Sequence, residues 1–157
     1  MPAAALAAAL AQARTVILAL TPTTATPTAA FSAADGLLPL DAEPPVASDR
    51  VFEVAPTGGH ALGPRWGDSY EEHVADFAVE IRYDAGRGAT DASARNLATA
   101  ADRIAEDADQ IAKAITTRAN YASGTQIVVL SGSTVDRGDP EFPKIVLTFR
   151  CTYLVAL

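Results

Sequence analysis

The chain has 157 residues, 49% of them hydrophobic and 20% charged, and carries a formal net charge of −7. That length suits one domain, residues 1–157, with a core of ordinary size. So acidic a balance argues against a phosphate-binding face, because duplex DNA is held chiefly by Lys and Arg. The single cysteine, Cys151, excludes an intrachain disulfide.

Residues 1–20 contain nine alanines, and Ala11-Gln12-Ala13 imitates a signal-peptidase site. No Lys or Arg precedes the apolar stretch, whereas a secretory signal places its positive charge first. The run Pro2 to Ala11 is too short to cross a bilayer. The segment reads as a short helix of a soluble protein. Leu6, Leu10, Ala13, Ile17 and Leu20 fall 4, 3, 4 and 3 residues apart, on one helical face.

Two prolines and five threonines between Thr21 and Thr28 end that helix and favour an extended segment. Residues 29–48 hold Leu37, Leu38 and Leu40 among Gly36, Pro39, Pro44 and Pro45, which predicts an ordered loop or a short edge strand. The stretch 21–49 thus precedes an α+β core over 50–157. Arg50 to Ala55 reads as a short strand. Pro56 to Asp68, with four glycines and two prolines, reads as a loop.

Alternation returns at His73 to Tyr83. Phe77, Val79, Ile81 and Tyr83 face one way and Asp76, Glu80 and Arg82 the other, as in an antiparallel or mixed sheet with one buried face. Asp84 to Thr90 turns the chain. From Asp91 to Arg118, Leu97, Ala101, Ile104, Ala108, Ile111 and Ile115 recur at spacings of 4, 3, 4, 3 and 4, which predicts a long helix packed on the sheet. Thr90 or Asp91 can cap it, and Asp102, Glu106, Asp109 and Lys113 line its outer face.

Thr125 to Ser131 is a strand with little alternation, and so reads as central. Gly132 to Glu141 reads as a polar connection. Lys144 onward alternates strictly, with Ile145, Leu147, Phe149, Cys151, Tyr153 and Val155 on one side. Cys151 therefore reads as a buried small hydrophobe, not a reactive thiol. The last two strands form a hairpin with a long tip. The expectation is an α+β fold: a mixed or antiparallel sheet of about four strands covered by one long and one short helix.

Catalytic and metal chemistry finds no support in the residues. His60 and His73 are the only histidines. The run Glu71-Glu72-His73 with Asp76 lacks a metal-ligand spacing and reads as a solvated acidic surface. Gly86 and Gly88 lie before a helix start, but Asp84 and Asp91 flank them with the wrong charge for phosphate. Ser123, Ser131 and Ser133 have no histidine nearby in sequence. The expectation is no enzyme: no catalytic residue, cofactor or metal. Trp66, beside Arg65 and Tyr70, is either a local hydrophobic anchor or a contact for another subunit, since Trp, Tyr and Arg are enriched at interface hot spots. Val135, Asp136 and Arg137, in the polar connection, are the other candidate subunit or partner contacts. Arg82, Arg87, Arg137, Lys144 and Arg150 could form a basic patch only if their strands are neighbours; ordinary pairing with Asp and Glu is the competing reading.

The order of elements resembles the tail terminator proteins of long-tailed bacteriophages. The resemblance rests on R-W-G-D-S-Y-E-E-H-V-A-D-F-A-V-E-I-R-Y over 65–83, the long helix from Asp91, and the hairpin ending in I-V-L-T-F-R-C-T-Y. It covers residues 50–157 well and the first 49 weakly. It lies in layout and pattern, without a diagnostic motif. It implies a structural virion protein that forms a homohexameric ring, caps the tail tube and joins it to the head. The implied partners are other copies of the chain, the tail tube protein and a head-side connector or neck protein. Genomic DNA would pass through without specific binding, no membrane would be involved, and assembly would take place in the bacterial host cytoplasm. The alternatives are another head–tail connector, or a small non-viral ligand-binding domain or enzyme. The last would need a pocket with convergent polar groups, for which no lining residues stand out.

Overall fold

The computed structural model describes residues 2–22, 30–33, 50–84, 97–136, 138 and 142–157. Its elements in chain order are helix α1 (Pro2–Leu18), strand β1 (Ser32–Ala33), β2 (Val51–Trp66), β3 (Tyr70–Arg82), helix α2 (Leu97–Thr116), a 3-10 turn (Arg118–Asn120), β4 (Thr125–Asp136) and β5 (Lys144–Ala156). The strands form one sheet in the order β1-β2-β3-β5-β4. Among the described residues β1 and β2 run parallel and the other three pairings are antiparallel. The fold is α+β, with two α-helices and a mixed sheet. Against the expected four or so, five strands occur among the described residues, because Ser32 and Ala33 add a two-residue edge beside Val51 and Phe52.

The alternation in β3 and β5 builds the core. Phe77, Val79 and Ile81 lie opposite Phe149, Leu147 and Ile145 in register, and all six are buried. Phe52 and Val54 extend the same face onto β2. Leu10, Ala13 and Ile17 of α1, with Ile104, Ile111 and Ile115 of α2, join this cluster. Both helices thus cover one face of the sheet, and Asp102, Glu106, Asp109 and Lys113 stay on the outside of α2. The expected cap at Thr90 or Asp91 lies outside the described residues.

Three readings are corrected. Residues 56–66 are not a loop: β2 continues to Trp66 as a bulged hairpin arm against β3. Its register breaks between Pro56 and Gly58, Gly58 and Ala61, and Leu62 and Arg65, with Gly58 and Gly59 at φ of 90° and 70°. Glycine and proline here sit in bulges on a strand whose outer side, among the described residues, has no neighbour past Phe52, so they bend it without ending it. Thr125 to Ser131 is not central: among the described residues β4 is the last strand of the sheet. Of Ile127 to Leu130, only Val128 is buried. The register also breaks between Thr125 and Ile127 and between Leu130 and Gly132, which erases any regular alternation. Finally, β4 runs on to Asp136, so Gly132 to Asp136 are strand, and the connection to β5 is shorter than expected.

A buried polar knot ties α2 to the sheet. Arg50 Nε and Nη2 donate to Asp107 Oδ2 and Oδ1 at 2.7 and 3.4 Å, and Tyr83 Oη donates to Asp107 Oδ2 at 2.9 Å. Arg103 Nη2 donates to the Asp84 carbonyl at 2.7 Å. Arg50, Tyr83, Arg103 and Asp107 are all fully buried. The knot joins the start of β2, the end of β3 and the middle of the helix.

Candidate interface surfaces

The second face of the sheet carries neither helix. Register partners share a face, so this face reads as rows across β2, β3, β5 and β4. At one end lie Val51, Arg82, Lys144 and Asp136, and beside them Glu53, Glu80, Val146 and Thr134. Further along, Asp76 and Arg150 face each other, with Arg150 Nε and Nη2 donating to Asp76 Oδ1 and Oδ2 at 2.9 and 3.2 Å. That bond, with the Asp76 charge, raises the Arg150 pKa. The far end turns apolar: Ala61, Val74, Thr152 and Ile127 form one row, and Trp66, Tyr70 and Ala156 the last.

Trp66 and Tyr70 close the β2–β3 hairpin as register partners, flanking a turn in which Gly67 has φ 67°. A tight turn with a left-handed residue favours glycine there. Both aromatics are exposed, at 60% and 48%. Trp66 is therefore no part of the buried core. Arg65, on the opposite face, approaches Glu71 at 3.8 Å. Leu157 N–H donates to the Ser69 carbonyl at 3.0 Å, which braces the turn.

Val135 and Asp136 sit at the other end of the sheet, opposite Ile145 and Lys144. Val135 is exposed, and Asp136 approaches Lys144 Nζ at 3.8 Å. Arg137 lies outside the described residues. The candidate contacts therefore do not converge. They form two patches at opposite ends of β5, separated by twelve residue steps from Lys144 to Ala156, or about 40 Å.

Of the candidate basic patch, Arg82 and Lys144 are brought together as register partners, while Arg150 lies further along the strand in its pair with Asp76. Arg87 and Arg137 lie outside the described residues. The two adjacent cations share their end of the sheet with Glu53, Glu80 and Asp136.

The run 71–76 does not form a solvated acidic cluster with its histidine. His73 is buried on the helix face, its ring 5.7 Å from that of Tyr153 and its Nε2 3.3 Å from Glu71 Oε2. Glu72 and Asp76 alternate onto the open face, so strand geometry separates them from His73. Among the described residues no group of three or more His, Cys, Asp and Glu side chains is placed to hold a metal. A cleft between α1 and β4, lined by Ala13, Phe77, Tyr121 and Val128, has about 20 Å3 of space, room for one water. No described helix is long and apolar enough to cross a membrane.

Sequence reasoning missed Ile127, Val129 and Leu130 as surface residues. An apolar run without alternation looks the same in a central strand and in an exposed edge. The one available signal was the break in period itself. No family model matches the chain, and no curated protein is significantly similar to it.

Proposed function

We propose that this chain is a structural ring subunit of a long-tailed bacteriophage virion, a tail terminator that caps the tail tube and joins it to the head or neck. The order of elements over residues 50–157 supports this through its resemblance to that family. The observation that carries the ring is the separation of the two exposed patches. A closed ring is built from head-to-tail contacts, in which each subunit offers two different surfaces. Trp66 and Tyr70 at one end of the sheet, and Val135 and Asp136 at the other, offer such a pair on one hydrogen-bonded frame.

Arg65 and Arg137 complete the proposed contacts, and the ring is a hexamer. Its role is mechanical and not catalytic. Net negative charge suits a conduit, since like charge keeps DNA phosphates from adhering. The test is electron microscopy of tail tubes assembled with the purified chain. The expected result is a six-fold ring of this chain at one end of each tube. A single isolated copy in the particle, or no binding to tubes, would overturn the reading.

A further inference from the structure

The two edges of the sheet are treated differently. A strand edge presents unpaired N–H and C=O groups to any passing strand, and proteins blunt it with proline, bulges, charges or a covering group. Past Phe52, β2 carries Pro56, Pro64, three register breaks and two left-handed glycines. At the start of β4, Tyr121 covers the edge: its hydroxyl accepts from the Val128 N–H at 3.1 Å and donates to the Thr116 carbonyl at 3.1 Å. Beyond Val128 such devices thin out to one register break and, at the far end, the Asp136 charge. Val129, Leu130 and Val135 are 42%, 43% and 42% exposed, and Thr125 to Val135 holds no charged residue and no proline. A Cβ added at Gly132 would meet nothing within 4 Å, so the missing side chain leaves bare backbone. Among the described residues β4 has one neighbour, β5.

We propose that the Leu130–Asp136 edge of β4 is a self-pairing surface, on which two copies of the free chain join β4 to β4 in antiparallel register. Only an extended strand satisfies such an edge. Leu130 to Val135 carries no charge in a chain of net charge −7, and Asp136 at its end lies 3.8 Å from Lys144, so a basic partner finds little there to pair, while two copies meet without local repulsion along most of the strip. Antiparallel pairing about a two-fold axis also sets the two Asp136 carboxylates at opposite ends and places Leu130 and Val135 of each copy beside the other's strand. The contact is isologous, unlike the head-to-tail contact of a ring. It stands on the edge alone, whether or not the ring reading holds.

Seven residues span about 24 Å, and the strip they cover is well under the roughly 800 Å2 per partner of a standard interface. The pairing is therefore weak and concentration-dependent. Sedimentation of the full chain should show monomer passing to dimer between about 10 and about 500 μM. Raising NaCl from about 20 to about 300 mM should strengthen it by screening the net charge. Leu130→Lys and Val135→Lys, both at exposed sites, should each weaken dimerisation about tenfold or more while leaving the thermal midpoint unchanged. Leu62→Lys, on the β2 edge, should leave dimerisation intact. Hydrogen exchange at residues 129–136 should slow with protein concentration, and at 53–66 should not. A chain that stays monomeric at about 500 μM overturns the proposal. So does association that Leu62→Lys abolishes and Leu130→Lys does not.

Discussion

Asp107 accepts hydrogen bonds from Arg50 and Tyr83 inside the protein. Arg50 is held at φ 55°, a left-handed value that costs a non-glycine residue free energy and persists only where surroundings enforce it. Removing the carboxylate takes a charged partner from a buried guanidinium, so Asp107→Ala should destabilise by about 3–5 kcal/mol, read by urea unfolding. Tyr83→Phe removes one donor and should cost less, about 1 kcal/mol. Cys151 shows a second residue-scale consequence of burial. Desolvation pushes its thiol up to about 11, so the neutral form is the one the fold favours. The sign follows from proton counting. Above the unfolded pKa of about 8.5 the unfolded chain binds fewer protons than the native one, so this contribution falls as pH rises through 9 toward 11 and is flat below. Folded protein at pH 8 should therefore resist a thiol reagent that reacts at once after unfolding; fast reaction in the native state would contradict the burial.

At the scale of elements, α2 is amphipathic, and its buried stripe packs on β4 and β5 and against α1. Ile104→Ala should cost about 2–5 kcal/mol, because a buried cavity is left under the helix, and calorimetry of the variant checks it. The β2–β3 hairpin was half visible. Arg50 to Ala55 and the β3 alternation stood out, but the glycines and prolines of 56–66 disguised the rest of the arm as a loop. Those residues act as bulges only because β3 is long enough to pair with the whole arm, and that partner's length cannot be read from the arm itself. In β4 the error ran the other way, since β-branched residues suit an edge as well as a centre.

For the molecule as a whole, the proposed ring makes Trp66 and Tyr70 dispensable for folding and necessary for assembly. Trp66→Ala should shift unfolding by no more than about 0.5 kcal/mol, as for other surface changes, yet prevent ring formation on tail tubes. A variant that unfolds instead would show that the indole serves the fold. The proposed conduit also predicts that DNA binding, if measurable at low salt, is gone at about 150–200 mM salt, because counterion release weakens a merely electrostatic contact. Arg82 and Lys144 are adjacent cations, but Arg82 is buried and acids lie in the same and the neighbouring row, so the pair offers a phosphate little purchase.

The sequence by itself determined the α+β class, the face of α1, the buried stripe of α2 and the core side of β3 and β5. Each of these is a local periodicity, set by side chains that must leave water and by the fixed geometry of the helix or strand that carries them. It also singled out Trp66 and Tyr70 as unusual, though not which face they occupy. Only the tertiary structure decided which strand is an edge, where β2 ends, and that the two candidate contact patches lie at opposite ends of one sheet. It alone brought Arg50 to Asp107 across 57 residues of chain. Strand order and long-range pairing depend on which partners meet, and a residue's own neighbours in sequence carry little trace of that.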